Sequence, residues 1–265
     1  MAIPWGYENK RVIVSGGGGA GMGAAVVEDL RELGAEIHVL DLKEPSAEVD
    51  GFYSVDLRDP AAIDAAVAEI GGHVDALFNC AGLPGPPHTG LDTMLVNFVA
   101  ARHLTERVAP LMGDKGAVAT ISSAGGIGWE HMKDVIEELL ATKGFDEAQT
   151  WLEAHSELVG EGYLFSKQVI IWWTLHAAID MAPAIRVNCT SPGPTDTPMM
   201  PSFEEYMGKE FMDAFPKPLG RNSTPQEQAH ILAFMNSDAA AYMTGANVAV
   251  DGGFTAGLLT GRLGI

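Results

Sequence analysis

The stretch KRVIVSGGGGAGMGAAVVEDLRELGAEIHVLD, residues 10–41, decides the fold. KRVIVS is a short run rich in β-branched residues, GGGGAGMG is a glycine turn, AAVVEDLRELGA carries apolar positions at helical spacing, and EIHVL is a second β-branched run. Strand, turn, helix and strand within about 30 residues make a βαβ unit, because a parallel crossover requires that length. The turn contains the pattern Gly16-x-Gly18-x-x-Gly21, followed by Gly23. Glycines there permit a tight turn and a close approach of bare backbone to a pyrophosphate, whose charge meets the N-terminus of the next helix. The pattern alone is common, and its place between a strand and a helix is what points to a dinucleotide.

Asp41 ends the second strand about 20 residues beyond the glycines, where a carboxylate accepts hydrogen bonds from the adenosine ribose and repels a 2′-phosphate. No Arg stands at positions 40–43, so the spacing favours NAD over NADP. The competing reading of Asp41 is an aspartate that opens a turn. Asp56, after the third strand, faces the adenine on the same reasoning, with an ordinary loop aspartate as the alternative.

The alternation continues to the C-terminus. Strands are expected at 51–55, 74–80, 116–122, 185–190 and 247–251, and helices at 60–70, 93–112, 163–181 and 225–236. Seven short strands alternating with helices predict one α/β domain over residues 1–265, a Rossmann-like doubly wound, seven-stranded parallel sheet covered on both faces. Residues 127–161 break the rhythm. Met132, Val135, Ile136, Leu139 and Leu140, then Phe145, Ala148 and Leu152 after a Lys143-Gly144 stop, predict an inserted helical hairpin.

Composition excludes several functions. The formal net charge of -19 repels phosphate backbones, so nucleic acid is not an expected partner. No apolar run approaches the roughly 20 residues of a membrane helix, and the N-terminus does not read as a signal peptide, so a soluble cytoplasmic protein is expected. The eight histidines show no ligand spacing and no metal is expected. Cys80 and Cys189 fall in apolar strand-like runs and read as buried free thiols.

SGGGGAGMG, VDL at 55–57, NCAG at 79–82, Asn97 in VNFVA, ISSAGG at 121–126, YLFSK at 163–167, RVNCTSPGPTDTPM and VDGG at 250–253 occur in the order and spacing of the short-chain dehydrogenase/reductase family, and the chain resembles it over nearly its whole length. The resemblance implies the strand order 3-2-1-4-5-6-7, which would set the strands of Cys80 and Cys189 about 10 Å apart, too far for a disulfide, and the long insert resembles a subgroup of bacterial hydroxysteroid dehydrogenases and carbonyl reductases. Two departures stand out: the glycine turn, counted from Gly16, carries one extra residue, and Cys80 stands where the family often has Asn.

The resemblance implies catalytic roles for Asn97, Ser123, Tyr163 and Lys167. A free tyrosine ionises near pH 10, so using it as a base near neutrality costs roughly 1.4 kcal/mol for each unit of mismatch. Residues i and i+4 share a helix face, so Lys167 can bring a cation to Tyr163 while reaching the nicotinamide ribose. Ser123 would hold the substrate oxygen, Ser122 packs against the sheet, and Asn97 sits at a helix kink and holds a water. Along the cofactor the resemblance places Met22, Leu42, Leu57, Asn79, Ala81, Gly82, Pro192, Gly193, Thr195 and Thr197, beside the glycines, Asp41 and Asp56. Residues 196–218 correspond to a substrate lid, and Met199, Met200, Phe203 and Met207 read either as core or as a pocket suited to flat apolar ligands. Trp129 is expected to add a wall. The resulting expectation is an NAD-dependent enzyme interconverting a secondary alcohol and a ketone on an apolar, cyclic substrate, assembled as a homodimer or homotetramer through the region around NVAVDGGF and GLLTGRLGI. The alternatives are a non-catalytic NAD sensor or assembly protein and a reductase of thioester-linked acyl groups.

Overall fold

A computed structural model describes residues 5–263; Gly264 and Ile265 of the tail GLLTGRLGI lie outside the described residues. The strands are β1 (Arg11–Ser15), β2 (Glu36–Asp41), β3 (Gly51–Ser54), β4 (Ala76–Asn79), β5 (Gly116–Ile121), β6 (Ile185–Pro192) and β7 (Asn247–Val250). They form one sheet in the order β3-β2-β1-β4-β5-β6-β7, parallel throughout. This is the expected order. The chain reverses direction across the sheet between β1 and β4, and ligands of open α/β sheets bind at the carboxyl ends beside such a switch.

Alternation along the strands divides the core in two. Val12, Val14, Ala76, Phe78, Ala119 and Ile121 face helices α1 (Met22–Glu32) and α11 (Pro225–Asn236). Ile13, Leu77, Val118 and Val187 face the other side, where α2 (Pro60–Ile70), α4 (Ala100–Met112) and α8 (Tyr163–Asp180) pack. Local signals set the helix starts. Asp59 accepts from the Ala61 and Ala62 amides ahead of α2, and Thr224 with Glu227 makes a capping box at α11.

The helix expected over 93–112 starts earlier and is interrupted. Helix α3 (Gly90–Met94) passes into a π-helical turn at Leu95–Val99 before α4 begins, and Asn97 lies inside the wide turn. Such turns insert one residue into the helical ladder, which re-aims the side chains around it.

The insert folds as a hairpin of α5 (Lys133–Leu140) and α6 (Gly144–Ala154), extended by α7 (Ser156–Val159). Ile136, Leu139, Phe145 and Leu152 are buried in the same cluster as Ile170, Ile171 and Trp173 of α8. Each such side chain contributes roughly 1.5–3 kcal/mol relative to exposure. The hairpin is bolted to α4 by Arg102, which is only 4% exposed. Its guanidinium donates to the Gly144 carbonyl at 2.8 Å and the Thr142 hydroxyl at 3.2 Å, and lies 5.5 Å from the Phe98 ring centroid. Burial holds the Arg102 pKa below its ordinary value. On α8, Trp172 donates to Glu137 at 2.7 Å and stacks on Trp129 with centroids 5.2 Å apart. Residues 196–218 form α9 (Met200–Met207) and α10 (Lys209–Ala214), and the last described helix is α12 (Phe254–Leu259).

Candidate active site

The glycines of the turn divide by what surrounds them. A side chain at Gly16 would strike the Ala81 backbone, one at Gly23 the Gly16 carbonyl, and one at Gly18 the Lys43 carbonyl. At Gly17 it would lie 3.0 Å from Val27 and Val39. Gly19, with φ of +77°, and Gly21 meet nothing within 4 Å, so their backbone lies bare in front of α1, whose N-cap is Gly21. Four glycines thus permit close packing of the turn, and two present an open cradle at a helix N-terminus, which suits a pyrophosphate. Gly17, Gly19 and Gly23 were not among the expected cofactor residues; the density of the run was their only sequence signal. Met22 opens α1 beside the cradle.

Asp41 ends β2 and accepts from the Gly18 amide at 2.8 Å and the Lys43 amide at 2.9 Å, so it also shapes the turn. Leu42, 65% exposed, follows it. Asp56 is held by Arg58, which donates to it at 2.6 Å and to Asp92 at 3.0 Å. Hydrogen bonding to Arg58 keeps the Asp56 pKa below the usual carboxylate value. The Leu57 side chain belongs to the core. The buried Asn79 amide donates to Thr105 at 3.1 Å and Thr120 at 3.2 Å, joining β4 to α4 and β5. Its role is to fix the floor from which Cys80, Ala81 and Gly82 enter the site.

Tyr163 begins α8 directly after Gly162, and Lys167 follows one turn later. The Lys167 ammonium donates to the Ile121 carbonyl at 2.9 Å and lies 5.5 Å from the Tyr163 ring centroid. Burial raises the Tyr163 pKa, an effect opposed by its contact with the Ser123 hydroxyl, and burial pushes Lys167 down to about 8. Desolvation, and not the charge of Lys167, sets the direction of the Tyr163 pKa. Ser123 caps a short 3-10 turn by accepting from the Gly125 amide at 3.0 Å. Ser122 points the other way, donating to the Lys167 carbonyl at 2.7 Å. The Asn97 amide accepts from the Leu83 N–H at 2.7 Å and donates to the Leu83 carbonyl and the Ser166 hydroxyl, both at 3.1 Å.

On the far side, Gly193 follows Pro192 out of β6 and packs against Asp251, 2.8 Å from where a side-chain carbon would sit. Thr195 is buried and shares a 2.8 Å hydrogen bond with Ser223, and the Thr197 hydroxyl accepts from the Met199 amide at 3.4 Å. These contacts stitch the loop at 193–197 to the segment preceding α11.

Ser123, Tyr163, Lys167, Gly193, Thr195 and Thr197 open onto one cleft of about 690 Å³. Met199, Met200, Phe203 and Met207 line it, and the Phe203 ring meets Tyr163 edge-on at 5.0 Å. Trp129 does not line the cleft. Its ring is taken up by Trp172 and by the Lys133 ammonium 5.1 Å above it. Met132, Leu158 and Val159 of the insert form that wall instead, and Phe254 adds to the floor. Met132 read only as hairpin core and Phe254 only as part of the assembly region, and Leu158 and Val159 carried no sequence signal of their own. Cys80 also lines the cleft, and burial raises its thiol to about 12, which keeps it protonated near neutrality. Both cysteines are free. Among the described residues no cluster of three or more His, Cys, Asp or Glu could hold a metal, and no helix is long and apolar enough to cross a membrane.

Comparison with known proteins agrees with this geometry. Residues 10–133 match the family described as short chain dehydrogenase, and residues 154–255 the one described as Enoyl-(Acyl carrier protein) reductase. The gap between the two falls on α5 and most of α6. The chain is 32% identical over 247 residues to a coniferyl-alcohol dehydrogenase of a Pseudomonas species, covering 92% of this chain and 96% of that one. It is 30% identical over 251 residues to a 3-alpha-hydroxysteroid dehydrogenase/carbonyl reductase of Comamonas testosteroni, with coverage of 92% and 96%. The solved 3-alpha-hydroxysteroid dehydrogenase of Pseudomonas sp. B-0831, complexed with NADH, superposes with a TM-score of 0.80 at 25% identity, over 96% of this chain and 100% of that one.

Proposed function

The chain belongs to the short-chain dehydrogenase/reductase family, an oxidoreductase of alcohols and ketones, and on that premise we propose that it is an NAD-dependent dehydrogenase of secondary alcohols, or reductase of the matching ketones, on apolar cyclic substrates of hydroxysteroid type. The observation that carries this reading is the convergence of Ser123, Tyr163 and Lys167 in a cleft whose other walls are largely methionine, leucine and aromatic side chains. Such walls exclude water and adapt to flat ligands.

The bare backbone at Gly19 and Gly21 with the N-terminus of α1 would hold the pyrophosphate, and Asp41 the adenosine ribose, where its charge disfavours a 2′-phosphate. NAD, when bound, supplies the hydride acceptor or donor. Tyr163 takes the proton from the substrate hydroxyl in oxidation and returns it in reduction. Ser123, whose oxygen accepts from the Gly125 amide, donates its O–H to the substrate oxygen. Lys167 would hold the nicotinamide ribose, and its ammonium, 5.5 Å from the Tyr163 ring centroid, adds positive charge beside the phenol. Asn97 holds the Leu83 backbone in place, and the wide turn around it accommodates a water. Residues 196–218 act as the lid, with Phe203 seated on Tyr163.

The chain assembles as a homo-oligomer in the cytoplasm. Since the hairpin covers α4 and part of α8, the region around β7 and Phe254 makes the contact; Ala249→Arg should shift the mass measured by light scattering toward the monomer. The test of the function is incubation with NAD or NADP and a panel of steroid alcohols, monoterpenols and aryl alcohols, following the reduced cofactor. Turnover with NAD on secondary ring alcohols is expected. Cofactor binding without turnover across the panel would overturn the reading.

A further inference from the structure

We propose that Glu161 is a specificity-determining residue that makes this cleft select uncharged ring alcohols carrying a second hydrogen-bond donor and reject those carrying a carboxylate; the inference rests on the ring-alcohol reading above. Two charged residues line the cleft, Lys167 and Glu161. Lys167 is buried at the cofactor end with its ammonium on the Ile121 carbonyl. Glu161 is exposed, and its carboxylate makes no hydrogen bond or ion pair with the described residues. A charge left in water carries little desolvation cost, so nothing in the fold calls for this carboxylate, and nothing neutralises it.

Its place is rigid. Glu161 stands between Gly160, with φ of +54°, and Gly162, with φ of +79°. The turn interlocks with Gly90: a side chain at Gly90 would strike the Gly160 carbonyl, and one at Gly162 the Gly90 carbonyl. The Gly162 amide donates to Val159 at 2.9 Å, closing the turn onto α7. Glu161 is thereby held two residues before Tyr163, between Leu158, 43% exposed, and Leu164, 56% exposed, both cleft-lining. An apolar rim with one negative charge, carried on a backbone turn held two residues before the acid–base group, does two things. It offers an acceptor to a hydroxyl or phenol on the far side of a bound ring, and it raises the energy of a substrate anion at the mouth, in the same sense as the formal net charge of -19.

The experiment compares kcat/KM for 4-hydroxycyclohexanecarboxylate and its carboxamide, which share the ring and the reacting hydroxyl, in wild type and Glu161→Gln at low and high salt. Wild type should favour the carboxamide. The substitution should narrow the preference by about three- to tenfold, the size of a partly screened like-charge contact across a cleft mouth. Added salt should narrow it in wild type and do less in the variant, a response that a purely structural role for Glu161 would not produce. Turnover of both compounds with the same ratio in both proteins overturns the role of Glu161 and leaves the ring-alcohol reading standing. Turnover of neither, with cofactor still bound, overturns that reading and this inference with it.

Discussion

The Asn97 side chain closes a two-way pair with the Leu83 backbone, accepting from its N–H at 2.7 Å and donating to its carbonyl at 3.1 Å. The pair ties the loop that follows β4 to the wide turn between α3 and α4, and Gly82, at the cleft, lies within the span it fixes. Asn97→Ala should leave two part-buried backbone groups of Leu83 without their partner and destabilise the protein by about 1–2 kcal/mol. Turnover should fall more than tenfold, since small misplacements near reacting groups are costly. Urea denaturation and steady-state kinetics check this. A variant as stable and as active as wild type would remove the pair from any role.

Tyr163→Phe removes only the hydroxyl. Turnover should fall by at least about 100-fold, the low end for general acid–base groups, while NADH affinity, read by fluorescence, stays close to wild type. A variant that keeps most of its turnover would assign the proton transfer elsewhere.

Asp41 joins two functions, because the carboxylate that would meet the ribose also holds the Gly18 and Lys43 amides. Asp41→Ala should narrow or invert the preference for NAD over NADP and weaken binding of both. Asp41→Asn, which keeps one acceptor oxygen for the turn, should alter the preference with less loss of overall affinity. Unchanged cofactor ratios in both variants would assign the discrimination to another residue.

Burial sets the sign of the pH dependence. With the Tyr163 pKa raised, the free enzyme keeps its phenol protonated through neutrality, so alcohol oxidation should accelerate as pH rises and ketone reduction should slow. Lys167 is depressed to about 8 in the folded state against about 10.4 when unfolded. Between those values the unfolded chain binds more protons, so the cost that this buried cation imposes on folding, full below about 8, is relieved as pH rises through the window. Relative to Lys167→Met, wild type should gain stability from about pH 8 upward, measured by denaturation across pH. A flat difference would mean that Lys167 titrates normally.

Arg102 clamps the hairpin by hydrogen bonds to Thr142 and Gly144. Arg102→Met should cost about 1.5–3 kcal/mol, the scale of bonds from a charged donor, and should raise proteolytic nicking within 133–154 before the rest of the chain opens. Nicking spread evenly over the chain would show that the hairpin is no weaker than the core it covers.

The seven strands, the hairpin and the placement of Tyr163 with Lys167 were legible in the residues themselves, because period and turn chemistry act between near neighbours in the chain, whereas the order of the strands followed only from the family resemblance. Residues four apart on a helix share a face whatever else the fold does, and alternating apolar residues between glycine turns leave a parallel sheet few other arrangements. Which glycines touch protein and which bare their backbone was settled only by folding: Gly16 meets Ala81 and Gly18 meets Lys43, contacts between segments that spacing does not connect. The same holds for Trp129, expected in the cleft but claimed by Trp172 on α8, and for Arg102, an unremarked helix residue that becomes the hairpin's anchor. Tyr163 is the sharpest case. Its identity and its partner four residues on come from the sequence, whereas the direction of its pKa depends on how completely the surrounding chain strips water from it, and that is a property of tertiary packing alone.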